Sequence, residues 1–331
     1  MIGNEIKTVS NLFHKHQPDD NINPLQAIWH YTSIDGLMGI TNQGKRTLHF
    51  RFTRSDCLND TSEGEHIIEL FRSVCSELCE QGDISASFWE ITKTINVSPY
   101  HLISYPLPPI DDCTSYGMTD AAQCEAFICC FSLKEDSLDM WRYYSKGSGG
   151  YAIAFLSCIF EQQQDYPISE YNKDAIFYNM DSFRVIYDTA KKKNILRSLV
   201  KDAYDLYCIL IDQNPDEIEE MKKIIGGILQ SYQFRFKHEC FASEQEYRFV
   251  CYRPTKKPKN LKNDLPEVHY RNQNGVLVPY IDIPVENAHI LEVMISPLVE
   301  SQNCESITHE FLTSRSFTHC NVRKSKLPIR F

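Results

Sequence analysis

The chain has 331 residues and a mass of 38.5 kDa, enough for one large core or two modest ones, with an ordinary 42% hydrophobic content. Its formal net charge of −10 argues against capture of nucleic acid by overall charge and leaves room only for a local basic groove. No run of 18 apolar residues occurs, so no transmembrane helix is expected, and Met1–Lys7 lacks the basic-then-apolar layout of a secretory signal.

Residues 1–25 are polar, end in Asn23-Pro24 and are expected to be a peripheral lead-in to a single domain over 26–331. Ala27–Thr32 reads as a short strand, and Ser33 caps a helix carrying Leu37 and Ile40 that Asn42-Gln43-Gly44 ends. Thr47–Arg54 alternates as a second strand and runs into the turn Asn59–Glu63. Ile67, Leu70, Phe71, Val74 and Leu78 have helical spacing, and a second helix follows around Phe88 and Ile91. Four prolines between 98 and 120 predict an irregular excursion, and the apolar run Ala126–Ser132 predicts a central strand.

Ser137–Tyr144 reads as a short helix closed by Gly147–Gly150, followed by strands at Tyr151–Leu156 and Phe183–Tyr187. Leu196, Leu199, Val200, Ala203, Leu206 and Leu210 form one amphipathic face. Asn214-Pro215-Asp216-Glu217 starts a second helix, making a helical hairpin insertion at about 189–238. Strands return at Gln245–Tyr252, Val276–Ile283 and Leu291–Ser296, then a helix at 303–314 and a strand near His319–Arg323. Strands interrupted by helical blocks, without regular βαβ alternation, indicate an α+β fold.

The stretch with the most chemistry is Glu244–Tyr252. Tyr247, Phe249 and Cys251 alternate with Glu244, Glu246 and Arg248, which predicts a packed face and a face bearing two carboxylates and a guanidinium. A salt-bridged sheet surface is the plain alternative. His30-Tyr31-Thr32 puts hydrogen-bonding groups at a strand end, where sites commonly form, or is simply a half-buried sheet edge. Arg51 and Arg54, with Asn59, Asp60 and Glu63 after them, suit either a phosphate clamp or turn chemistry. Trp141 and Tyr144 lie on one helical face and suit either core packing or ring stacking. No Cys-x-x-Cys accompanies the 13 cysteines, so reduced thiols in a cytoplasmic protein are expected and a metal site is not.

His30-Tyr31-Thr32, Leu58-Asn59-Asp60-Thr61-Ser62-Glu63, Met140-Trp141-Arg142-Tyr143-Tyr144 and Glu244-Gln245-Glu246-Tyr247-Arg248, in that order, resemble a bacterial family catalogued as domain of unknown function 2971. That family commonly has Pro where this chain has Thr61. More distantly, an opening His-Tyr strand, an Arg-bearing strand and a late Glu resemble ADP-ribosyltransferases, some of them toxins. The resemblance implies a split or bent mixed sheet and NAD as substrate. It implies His30 and Thr32 on a ribose, Tyr31 or Tyr144 stacked on nicotinamide beside Trp141, and Arg51 or Arg54 on the pyrophosphate near Asn59. It implies Glu246 as the catalytic carboxylate, kept ionised by Arg248, with Glu244 orienting a protein or nucleic-acid acceptor.

The expectation is therefore an α+β ADP-ribose-transferring enzyme of bacterial (phage) defence or toxin biology. Two rivals stand beside it: an interaction module that meets a partner protein at the 189–238 hairpin, and a magnesium-dependent nuclease using Asp60, Glu63, Glu244 and Glu246.

Overall fold

The structure, a computed structural model, describes residues 8–18, 23–42, 46–58, 66–97, 101–106, 118–145, 149–160, 179–257, 264–273 and 275–328. The chain divides into two compact units, one drawn from residues 1–20, 59–99 and 185–242 and the other from 21–58, 100–184 and 243–331.

The first unit is helical. It contains α1 (Val9–Lys15), α3 (His66–Glu80), α4 (Ala86–Lys93), α6 (Thr189–Gln213) and α7 (Ile218–Tyr232). Apolar residues at three- and four-residue spacing, such as Phe71, Val74 and Leu78 on α3 and Leu196, Leu199 and Ala203 on α6, make one shared core. The lead-in thus holds a helix whose Val9 and Leu12 are buried in that core. The apolar faces of the expected hairpin, α6 and α7, are turned into the same core. The Asn214 cap forms differently from expectation: its side chain donates to Glu217 Oε1 at 2.5 Å and caps no backbone amide.

The second unit carries an unclosed, mixed sheet of eleven strands among the described residues. These are β1 (Ala27–Thr32), β2 (Leu48–Arg54), β3 (His101–Pro106), β4 (Met118–Ser132), β5 (Tyr151–Leu156), β6 (Asn179–Arg184), β7 (Glu246–Pro254), β8 (Val268–Gln273), β9 (Val276–Val285), β10 (Glu292–Ile295) and β11 (Asn321–Lys324). Helices α2 (Ile34–Ile40), α5 (Leu138–Tyr144) and α8 (Cys304–Ser314) accompany it. The fold is α+β. β10 and β11 pair in parallel and the other neighbours are antiparallel.

The 15-residue strand β4 is the axis of this sheet. β7 runs along one edge, from Cys124↔Pro254 to Ser132↔Glu246. The opposite edge is shared in succession by β3 at His101↔Cys124, β2 at Thr53↔Ile128 and β1 at Trp29↔Ser132. Two wings leave that edge separately, β1-β5-β10-β11 and β2-β9-β8. The irregular excursion expected over 98–120 is corrected at both ends, since β3 and the start of β4 pair there. The strands expected at 183–187 and 319–323 lie at 179–184 and 321–324, and β8, which alternates weakly, was not expected.

Paired residues project from one face, so register sorts the side chains. One face carries Phe50, Phe52, Phe127, Phe131, Phe155 and Phe249. With Phe160, the rings of Phe50, Phe52, Phe131, Phe155 and Phe249 interlock mostly edge-to-face, at centroid distances from 4.6 Å (Phe160–Phe249) to 6.4 Å (Phe131–Phe160). The other face carries Trp29, Tyr31, Ala152, Ala154 and Met294 under Met140 and Trp141 of α5.

β5 enters through a tight passage. A Cβ on Gly150 would lie 2.6 Å from the Thr32 carbonyl oxygen and 2.7 Å from Ser145 Cβ. Gly150→Ala is therefore expected to lower stability by about 1–3 kcal/mol. Gly227→Ala, where nothing lies within 4 Å on α7, should instead gain about 0.5–1 kcal/mol. Denaturant midpoints at unchanged slope measure both.

Candidate functional site

The end of β7 is more enclosed than its sequence pattern suggests. Glu246, Tyr247, Arg248, Phe249, Val250 and Cys251 are all buried, because β4 and β6 flank the strand and both of its faces are covered. The expected polar outer face is thus corrected. Glu246 is 4% exposed and Arg248 1%, and both Arg248 Nε and Nη2 reach Glu246 Oε2, at 2.7 and 2.5 Å. A buried carboxylate keeps its charge only against such a partner.

Glu244 is not on the strand, which corrects its expected alternation with Glu246. It closes a 3₁₀ turn, Glu239–Glu244, and Gln245 bridges to β7 with φ of 44°. A glutamine in the left-handed region is strained, and such residues gather where a chain is held for a purpose. The turn is fixed from β4: Ser132 Oγ donates to the Glu244 carbonyl at 2.6 Å, and Leu133 N–H to the Gln245 carbonyl at 2.9 Å. The Glu244 side chain, 4% exposed, accepts from Tyr144 Oη–H at 3.3 Å.

Tyr144 reaches Glu244 because α5 is anchored one turn earlier. Trp141 stands edge-on to Tyr31 at 4.9 Å and donates Nε1–H to Asp136 Oδ1 at 2.7 Å. Tyr31 is committed to structure: its hydroxyl donates to the Glu135 carbonyl at 2.7 Å and accepts from Ser137 N–H at 3.0 Å. Burial, with smaller contributions from Asp136 and Glu135, pushes its phenol well above the ordinary range.

Register separates the residues that the sequence grouped. Trp29↔Ser132↔Glu246 are aligned across three strands, so Tyr31 shares the Glu246 face and His30 and Thr32 project from the opposite one. His30 fills the gap where β1 and β2 part from β4. Its Nδ1–H donates to the Cys130 carbonyl at 3.1 Å, and it packs on Phe131 at 5.3 Å. Burial holds its pKa below the usual histidine range against that bond, and the Arg271 charge adds to the effect. Thr32 packs on α2, where a Cβ on Gly36 would meet its Oγ1 at 1.7 Å.

The two arginines of β2 also part. Arg54 falls on the His30 face, bidentate to Asp56 at 2.7 and 2.9 Å and 3.5 Å from Glu125. Arg51 falls on the Glu246 face but on the other wing, its guanidinium 5.2 Å from the Tyr280 ring. Asn59, Asp60 and Glu63, and Gly147 and Ser148 of the Gly147–Gly150 turn, lie outside the described residues.

The residues brought together are therefore Tyr144, Glu244, Glu246 and Arg248, with Tyr31 and Trp141 as their support. Gln245 was the missed participant; a residue between two glutamates gives no composition signal for a left-handed turn. A concavity of about 570 Å³ lies in the helical unit, lined by Lys15, His16, Asp188, Lys191 and others, and touches none of these. Two of its basic groups share one acid: Asp202 lies 2.8 Å from Lys15 Nζ and 2.6 Å from His16 Nε2. Among the described residues no group of three or more His, Cys, Asp or Glu is placed to hold a metal, the cysteines are free thiols, and no helix is long and apolar enough to cross a membrane.

Residues 140–249, from Met140 to Phe249, match a family described as Protein of unknown function (DUF2971). The matched segment contains α5, the Glu244 turn and the start of β7. No curated protein and no solved structure matches the chain.

Proposed function

We propose that the chain is an enzyme that breaks the nicotinamide–ribose bond of NAD and passes ADP-ribose to a macromolecule, with Glu244 and Glu246 as its acidic pair. The observation that supports this is the strained turn at Gln245, which separates two buried glutamates, Glu244 at the end of the 3₁₀ turn, bonded by Tyr144, and Glu246 at the start of β7, bonded by Arg248. Departure of nicotinamide leaves positive charge on the ribose, and a fixed, ionised carboxylate stabilises it. In this reading Glu246 faces that charge and Glu244 takes the proton of the attacking acceptor. His30, Thr32 and Arg54 are structural.

The rivals have less support. A partner at the hairpin would meet the charged outer faces of α6 and α7, since their apolar faces are buried. A carboxylate already neutralised by a guanidinium is a poor magnesium ligand.

Adenylate-labelled NAD, incubated with the protein and cell lysate, tests the proposal. Glu244→Gln is expected to lower labelling of macromolecules by about a hundredfold or more, and Tyr144→Phe by less. Equal turnover in a folded Glu244→Gln protein would sink the reading, and free ADP-ribose without labelled acceptor would reduce it to a glycohydrolase.

A further inference from the structure

The wing β2-β9-β8 carries a second concentration of charge. Register places His49, Arg51 and Thr53 of β2, Tyr280 and Asp282 of β9, and His269 and Arg271 of β8 on one face. Arg51 and Arg271 both lie over the Tyr280 ring, their Cζ atoms 5.2 and 6.0 Å from its centroid. Arg271 Nη2 also donates to Thr53 Oγ1 at 2.9 Å and to Gln273 Oε1 at 3.2 Å.

These contacts orient two guanidiniums without neutralising them. A ring and a hydroxyl are not counter-ions, and among the described residues neither arginine has a carboxylate within 4.0 Å. The acid directly across from Arg51, Asp282, is turned to His49 Nδ1 at 3.0 Å. Its Oδ1 and His49 Nε2 are buried with no hydrogen-bond partner. Arg271 is half-buried, and burial, followed by the Arg51 charge, lowers its pKa. Two converging like charges, one of them partly desolvated, are a standing cost unless an anion completes them.

We propose that Arg51 and Arg271, with Thr53, form a binding site for a phosphoryl anion. The planar guanidinium fork matches phosphate oxygens, Thr53 adds a hydroxyl, and exposed Arg51 gives the anion its entry. This site does not rest on the reaction proposed at Glu244. It is a local exception to the −10 net charge of the chain.

The test uses the full chain with two probes, inorganic pyrophosphate followed by thermal melting, and a fluorescein-labelled DNA single strand of about twelve nucleotides followed by anisotropy. Arg51→Gln and Arg271→Gln are each expected to weaken binding about tenfold. Arg271→Lys, which keeps the charge and loses the fork, should fall between. Strand binding whose log–log salt slope drops by about 0.7 per arginine removed assigns the anion to a nucleic-acid backbone. Saturable pyrophosphate binding without strand binding assigns it to a small phosphate-bearing ligand. If Arg271→Gln does not fold, Arg51→Gln and Arg271→Lys carry the comparison. Failure of both probes to bind, or equal affinity in the variants, would overturn the site whatever the outcome at Glu244.

Discussion

Glu246→Ala is expected to cost about 3–5 kcal/mol, because it leaves the Arg248 guanidinium charged and enclosed between β4 and β6. That would be a large fraction of the stability of an ordinary domain. Replacing both partners by apolar residues of similar size, Glu246→Leu with Arg248→Met, removes both buried charges together and should recover most of the loss. Denaturant unfolding of the two single variants and the double variant gives the coupling between them directly. A double variant no more stable than Glu246→Ala would show that the pair is not the unit that holds the end of β7. The result also governs how activity is read. Loss of turnover in a Glu246 variant mixes chemistry with folding, so turnover in Glu244 and Glu246 variants is to be compared with their unfolding midpoints, Glu244 being buried as well.

The second large effect is expected at Trp141. Trp141→Ala should cost about 3–5 kcal/mol, the range for emptying a buried aromatic site. More than packing is lost, because Trp141 Nε1–H is one of several donors on Asp136. Ser325 Oγ donates to that carboxylate at 2.9 Å and Lys326 N–H at 3.2 Å, tying the end of β11 to the start of α5. Trp141→Phe keeps the ring against Tyr31 and gives up one hydrogen bond, so it should cost about 1–2 kcal/mol. Since Tyr144 lies on the same seven-residue helix, Trp141→Ala should also weaken the Tyr144–Glu244 contact. If the proposed reaction occurs, turnover should fall further in Trp141→Ala than in Trp141→Phe. Equal melting temperatures for the two variants would contradict the packing argument.

Much of the fold was legible because the signals were local. Period-two alternation located Leu48–Arg54 and period-3.6 spacing located α3 and α6. Ser33 caps α2 as its position suggests, accepting from Gly36 N–H. What escaped was non-local. β3 sits among prolines and is made by pairing with β4, and β8 has little alternation and is made by β9. The candidate site shows the same division. Glu244, Glu246, Arg248, Trp141 and Tyr144 stood out by residue type. Which face each one takes depends on a register, Trp29↔Ser132↔Glu246, that joins residues far apart in sequence. His30 and Tyr31 are neighbours in the chain and form one cluster in the sequence, yet they serve opposite sides of the sheet. Arg271 was invisible for a similar reason: its charge matters only because β2 and β9 bring Arg51 and Tyr280 to it.

The shared edge of β4 also bears on how the protein is made. β4 ends at Ser132, and its earlier partners β1, β2 and β3 have already been synthesised by then. The strand that completes its other edge begins at Glu246, more than a hundred residues later. A nascent chain therefore carries a long apolar strand with one side open until translation has passed that point, and such edges attract intermolecular pairing. Chains stalled or truncated before residue 246 should be the aggregating ones, and a holding chaperone that acts during synthesis would find its target at residues 124–132.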